Sequence, residues 1–215
     1  MSRRPERIVH LGVGAFFRAH QAWYTQQVDH QGQWGIVGYT GRTASIADQL
    51  APQDCRYHLI TRDDSGDRID LIESLVRVED GATVTDLVHA LSSPAVALVT
   101  LTITEAGYRV DSQGKLNLND PEVAQDLALL SEGKGNPTTA VARLALALNA
   151  RRLAGEYPIA LVPCDNMPSN GAVLHHSLQG FARALGPELV DYLQSKVSFV
   201  TTSIDRITPK TTPED

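Results

Sequence analysis

The chain has 215 residues, 42% of them hydrophobic and 20% charged, with a formal charge of −6, enough to bury one large core. The acidic balance argues against nucleic acid or an anionic membrane as partner, since both select basic surfaces, and no stretch approaches the roughly 20 apolar residues that span a bilayer. Cys55 and Cys164 lie far apart without metal-ligand spacing, which fits a reducing, cytoplasmic compartment and no metal site, although in an oxidising one they could pair. Arg3, Arg4 and Arg7 make a small basic start with no apolar signal region after it.

Residues 8–11 (Ile-Val-His-Leu) are an apolar run of the kind that forms a strand buried on both faces. Gly12 and Gly14 follow, then a segment over 15–31 that reads as the first crossover helix. Strand, glycine turn and helix start together make the diphosphate cradle of dinucleotide-binding folds. Glycine permits the turn and close backbone approach, and free N–H groups at the positive helix end stabilise the charge. The third glycine of the fingerprint would stand where Phe17 is; taken alone, the pattern also describes an ordinary turn. A second strand is predicted over 34–40. The loop after it meets the adenosine ribose in such folds, where a carboxylate favours NAD and an arginine accommodates the 2′-phosphate of NADP. No carboxylate precedes Asp48, so Arg42, backed by Thr43 and Ser45, is a phosphate clamp or else a solvated loop arginine, and the lean is to NADP.

A short helix over 44–50 ends at Pro52. Strands over 57–61 and 69–78 flank the turn-rich Asp63-Asp64-Ser65-Gly66-Asp67 and read as an antiparallel extension with one solvated face. A helix over 84–91 leads to a central strand over 95–101. Its polar exit, Thr102-Ile103-Thr104-Glu105, lies where open α/β sheets bind ligands, and Glu105 is either a cofactor or substrate contact or a turn carboxylate. Asp120-Pro121-Glu122 starts a helix with an N-cap, a proline and a first-turn acid. An amphipathic helix over 138–153 presents Val141, Leu144 and Leu148. The strand over 159–162 leaves through residues 163–171, the most polar exit in the chain. Leu174, Leu178, Phe181 and Leu185 mark the next helix, stopped by Gly186-Pro187; a shorter helix and a last strand over 197–201 follow. This alternation predicts an α/β fold, a Rossmann-like doubly wound and mainly parallel sheet with helices on both faces. The exits after Leu101, Val162 and Thr201 then share an edge with Gly12 and Gly14, around one cleft.

These residues resemble the long-chain polyol dehydrogenases, the family of mannitol 2-dehydrogenases and of fructuronate and tagaturonate reductases. The likeness rests on residues 8–20 (Ile-Val-His-Leu-Gly-Val-Gly-Ala-Phe-Phe-Arg-Ala-His), 102–108 (Thr-Ile-Thr-Glu-Ala-Gly-Tyr), 164–171 (Cys-Asp-Asn-Met-Pro-Ser-Asn-Gly) and 197–209. In the last, Ile204-Asp205-Arg206-Ile207-Thr208-Pro209 is similar to the family's Val-Asp-Arg-Ile-x-Pro, with Ile204 in place of the valine. The family's cradle is Gly-x-Gly-x-Phe-x-Arg, which accounts for Phe17.

The resemblance implies NAD- or NADP-dependent, metal-independent hydride transfer between the nicotinamide and a secondary alcohol or ketone of a linear sugar or sugar acid. With the glycine turn and the strand exits it places Gly12, Gly14, Phe16, Phe17, Thr102 and Glu105 toward the cofactor, and the loop after the second strand adds Arg42. Asn166 is implied as catalytic, one donor of an oxyanion-stabilising pair. Asn170 beside it is the runner-up and a substrate contact, or else a helix cap. Asp205 would face substrate hydroxyls, Asp165 either supports its loop or touches substrate, and Arg206 forms an ion pair in a domain junction. Family members are much longer and carry the catalytic lysine in a second domain, within Lys-x4-Asn-x2-His. None of Lys115, Lys134, Lys196 and Lys210 has that spacing. Residues 1–209 are therefore expected to be the cofactor domain and 210–215 the start of a linker to a helical substrate domain. On that reading this polypeptide is inactive alone; the alternative is a stand-alone NAD(P)-binding sensor without chemistry.

Overall fold

The computed structural model describes residues 3–41, 43–133 and 135–209; Arg42 and the expected linker 210–215 lie outside the described residues. The strands are β1 (Glu6–Leu11), β2 (Gly35–Tyr39), β3 (Tyr57–Asp63), β4 (Gly66–Ile72), β5 (Leu75–Glu79), β6 (Leu98–Leu101), β7 (Ile159–Pro163) and β8 (Val197–Phe199). The helices are α1 (Ala15–Ala19), α2 (Gln21–Val28), α3 (Ser45–Leu50), α4 (Val84–Ser92), α5 (Pro121–Ser131), α6 (Ala140–Gly155), α7 (Asn170–Leu185) and α8 (Pro187–Ser195). Six strands form one parallel sheet in the order β5-β2-β1-β6-β7-β8. Counted within that sheet the order is 3-2-1-4-5-6, the doubly wound arrangement of dinucleotide-binding domains. The fold is Rossmann-like, with helices on both faces.

Alternation along β1 divides the core in two. Ile8 points to a layer with Phe17, Ala22, Ile36, Leu50 and Leu75, beneath the helices of the first half. Val9 and Leu11 point to the larger layer, with Val37, Val99, Leu161, Leu144, Leu148, Leu174 and Phe181. Asp120 caps α5 as its sequence predicts, its carboxylate accepting from the Glu122 N–H at 2.9 Å.

Two segments depart from expectation. The helix predicted over 15–31 is broken at His20 (φ −114°, ψ −85°), whose N–H donates to both Phe16 O and Phe17 O. The break lets α1 aim Phe17 at β1 while α2 turns toward the hairpin, where Trp23 Nε1 donates to Asp70 at 2.9 Å. The strand predicted over 69–78 is two strands. β3 and β4 form a separate antiparallel hairpin, whereas β5 joins the main sheet in parallel. The chain leaves β4 at Glu73-Ser74 because α2 takes both polar groups: Glu73 N–H donates to Gln26 Oε1 at 2.6 Å, and the buried Ser74 hydroxyl to Ala22 O at 2.6 Å.

Candidate cofactor site and active site

β1 and β6 are neighbours at the point where the winding of the sheet reverses, and ligands of such sheets bind in the crevice beyond the carboxyl ends of those strands. Gly12 follows β1 and Thr102 follows β6. Thr102 N–H donates to Leu11 O at 2.9 Å, and its hydroxyl to Gly12 O at 2.6 Å. Gly12 has φ +103°, and a Cβ there would lie 2.4 Å from Thr102 O, so no other residue fits. Gly14 is extended at φ −118°, and a Cβ on it would meet nothing closer than 3.9 Å. The close approach expected of both glycines belongs to Gly12.

The N–H groups of Gly12 and Val13 donate to Tyr39 O at 2.9 and 3.2 Å, which folds the loop toward β2. Those of Gly14, Ala15, Phe16 and Phe17 have no acceptor among the described residues. Phe16 is half-buried and stacks on His20, with ring centroids 5.3 Å apart. Of Phe17 only the backbone N–H remains for the expected cofactor contact. Its ring is fully buried against His10, centroids 3.7 Å apart, and supports the loop from beneath. Glu105 is exposed at the start of a single 3-10 turn, Glu105–Tyr108, beside the crevice.

His10, to which the sequence assigns no role, lies against Gly12 and Thr102. It is 0% exposed on the first-half face of β1. Nδ1 is 2.7 Å from Thr100 Oγ1; Nε2 is 3.0 Å from Thr102 Oγ1 and 3.3 Å from Gly12 O. Burial pushes its pKa from 6.5 down to about 3, against a weaker opposing effect of the Gly12 carbonyl, so the ring is neutral. A signal for it existed: an imidazole inside a strand buried on both faces must find polar partners, and Thr100 stands beside it in the predicted central strand.

The far lip is built at the exit of β7. Asp165 is half-buried and takes hydrogen bonds from the Tyr108 hydroxyl, from Met167 N–H at 2.9 Å and from Asn170 Nδ2 at 2.9 Å, so it supports its loop. Burial, and then the Asp165 carboxylate, raise the Tyr108 pKa, keeping the phenol a donor. Cys164 is buried and its thiol is pushed up to about 12 by burial; both cysteines are free. Asn170 departs from its expected role at the substrate. It is 0% exposed, its Nδ2 lies on Asp165, and its Oδ1 accepts from Thr202 N–H at 3.0 Å. It latches the β7 exit to the segment after β8, and its amide is spent there.

That segment then runs across the edge of the sheet. The Thr202 hydroxyl donates to Pro163 O and Ile204 N–H to Asp165 O at 3.2 Å. It passes so close to α7 that a Cβ on Gly171 would lie 2.8 Å from Val200 O. Arg206 makes no ion pair among the described residues; its guanidinium sits 4.7 Å from the Trp23 ring and 5.8 Å from that of Tyr24, a cation–π clasp onto α2. Between these anchors Asn166 and Asp205 stay exposed and without a hydrogen-bond partner among the described residues. Their neighbours are fixed, and they are free.

The family described as the mannitol dehydrogenase Rossmann domain matches residues 6–215. The chain belongs to this family. The mannitol 2-dehydrogenase of Cereibacter sphaeroides is 37% identical to it over 97% of the chain and 44% of the relative, and the polyol:NADP oxidoreductase of Gluconobacter oxydans 35% over 96% and 44%. Among solved structures, a ternary complex of Pseudomonas fluorescens mannitol 2-dehydrogenase with NAD and D-mannitol superposes with a TM-score of 0.88 at 36% identity, over 99% of this chain and 44% of that one. The chain thus spans less than half the length of the relatives it matches. No helix among the described residues is long and apolar enough to cross a membrane.

Proposed function

We propose that this chain is the dinucleotide-binding part of an oxidoreductase that moves hydride between NAD or NADP and a secondary alcohol or ketone of a linear sugar, of the mannitol/fructose or fructuronate type. What carries the reading is the match, over 99% of the chain, to a structure that holds NAD and D-mannitol. The residues present fit such a cofactor: Gly12 has no room for a side chain, and the N–H groups from Gly14 to Phe17 are unspent. When bound, the nicotinamide accepts or delivers the hydride. Gly12, Gly14, Phe16, Thr102 and Glu105 would line its site, and Arg42 carries the lean to NADP. Asn166 would donate its amide N–H to the substrate oxygen as negative charge develops there, a task that suits a group that does not titrate. Asp205 would accept from substrate hydroxyls. Residues 1–209 form the cofactor domain of this scheme, and a helical domain following 210–215 would supply the base. Buried, unpaired cysteines accord with a cytoplasmic location.

Calorimetric titration with NAD and NADP tests the cofactor directly, and binding of neither refutes it. In the protein that carries this chain, assayed against mannitol, arabinitol, fructuronate and tagaturonate, Asn166→Ala should lower turnover about 100-fold or more with little change in KM. An unchanged turnover number removes Asn166 from the site.

A further inference from the structure

His10 has hydrogen bonds whose directions can be worked out. The Thr102 hydroxyl spends its proton on Gly12 O, 2.6 Å away, so toward His10 it offers only lone pairs. Nε2, at 3.0 Å from that oxygen and 3.3 Å from the Gly12 carbonyl, therefore carries the imidazole proton and shares it between two acceptors. Nδ1 is left bare and accepts from the Thr100 hydroxyl at 2.7 Å. Phe17 closes the remaining face by stacking at 3.7 Å. One side chain thus joins the end of β1, the turn of Gly12, the end of β6 and the start of α1.

We propose that His10 is a positioning residue for the dinucleotide: as the neutral Nε2–H tautomer it fixes the Gly12 carbonyl against Thr102, and so sets the opening between the two strands that flank the cofactor crevice. The inference rests on the dinucleotide reading of that crevice. His10 touches no ligand itself; it determines where the Gly12–Phe17 backbone stands. A residue that only filled the core would need the stack on Phe17 and the volume, but not a proton on one particular nitrogen.

Two substitutions separate these roles, because each keeps one half of the ring's hydrogen bonding. In His10→Gln the amide nitrogen reaches the place of Nε2 and keeps a donor for Thr102 and Gly12. In His10→Asn the shorter side chain reaches only the place of Nδ1, so Thr102 Oγ1 and Gly12 O both lose the imidazole donor and Gly12 O keeps only the Thr102 hydroxyl. Titration of the full chain with NAD and NADP should show His10→Gln within about threefold of the wild type. His10→Asn should be weaker by about tenfold or more, the cost of one or two lost buried hydrogen bonds, in samples whose circular dichroism shows them folded. Equal affinities of the two variants, or wild-type affinity in His10→Asn, overturn the proposal. A wild type that binds neither dinucleotide removes the parent reading and this one with it, which distinguishes the two failures. The nitrogen-15 spectrum of the wild-type imidazole decides independently of any variant's folding: Nε2 protonated and Nδ1 bare is expected, and the opposite tautomer overturns the proposal.

Discussion

The two edges of the sheet use buried polar side chains in opposite ways. At the amino edge Arg151, 1% exposed, donates to the carbonyls of Leu91 (2.8 Å), Ser93 (2.6 Å), Val96 (2.8 Å), Tyr157 (2.9 Å) and Pro158 (2.9 Å). These belong to the end of α4 and to the turns entering β6 and β7, so the cation rests on the negative end of a helix and on loop dipoles. Asp29 does the same with the other sign before β2, accepting from Gln33 and Trp34 N–H, each at 2.8 Å, and pairing with Arg4 at 2.5 Å. Both side chains spend their polar groups on the chain itself, although a cavity lined by Arg3, Arg4, Asp29 and Glu73 lies open at this edge. At the carboxyl edge the buried His10 and Asn170 and the half-buried Thr102 and Asp165 hold loops whose exposed members, Glu105, Asn166 and Asp205, they do not engage. Polar groups spent on the chain itself are scaffold, whereas an edge that fixes its neighbours while sparing selected groups is ready for a ligand.

The sharpest way to break that contrast is Arg151→Met. It removes a buried charge but strands five carbonyls, and should lower stability by about 3–5 kcal/mol in urea denaturation. Dinucleotide affinity of the folded variant should be unchanged, because the lesion sits at the far edge. A loss under about 1 kcal/mol would show that water replaces the guanidinium and that Arg151 is not what holds these turns. Gly12→Ala comes next. A side chain at φ +103° and 2.4 Å from Thr102 O should cost about 2–3 kcal/mol and weaken dinucleotide binding by about tenfold or more. Gly14→Ala, with free space around its Cβ, should stay within about 0.5 kcal/mol of the wild type. Similar effects at the two glycines would erase the distinction drawn between them.

How much of this the residues announce depends on the range of the interaction. The strand-glycine pattern, the polar strand exits and the Asp120 cap are local, and the parallel sheet with its shared edge follows from them. The resemblance puts Asn170 near the substrate, yet its partner Thr202 is 32 residues away and lies there only once β8 is in the sheet. The ring contacts of Arg206 are not local either, since a cation over Trp23 requires α2 to turn at His20. Arg151 and His10 carried a legible signal of another kind. Arg151 continues the apolar stripe of Val141, Leu144 and Leu148, and His10 interrupts a strand buried on both faces. A polar residue in a core position has a task, but the sequence does not name its partners.

The smallest effect sharpens the comparison through pH. Unfolded His10 takes a proton near pH 6.5, whereas in the fold burial holds it neutral down to about pH 3. Below 6.5 the unfolded chain therefore binds a proton that the native one refuses, and stability falls as pH falls, by about 1.4 kcal/mol per unit. Asp29 behaves differently. Burial opposes its ionisation, but the Gln33 and Trp34 N–H groups and Arg4 outweigh that and hold its pKa below the usual carboxylate range. Its contribution is complete above the unfolded pKa and is lost only as pH drops through the lower, folded one. Between pH 7 and 5 the amino edge should thus be silent while the carboxyl edge is not. Urea melts of the wild type and His10→Gln at both values isolate the term, since every other titrating group is common to the two proteins. The advantage of the wild type should shrink by about 2 kcal/mol at pH 5. A difference that does not change with pH would mean that water reaches the imidazole, and that the carboxyl edge is open down to β1.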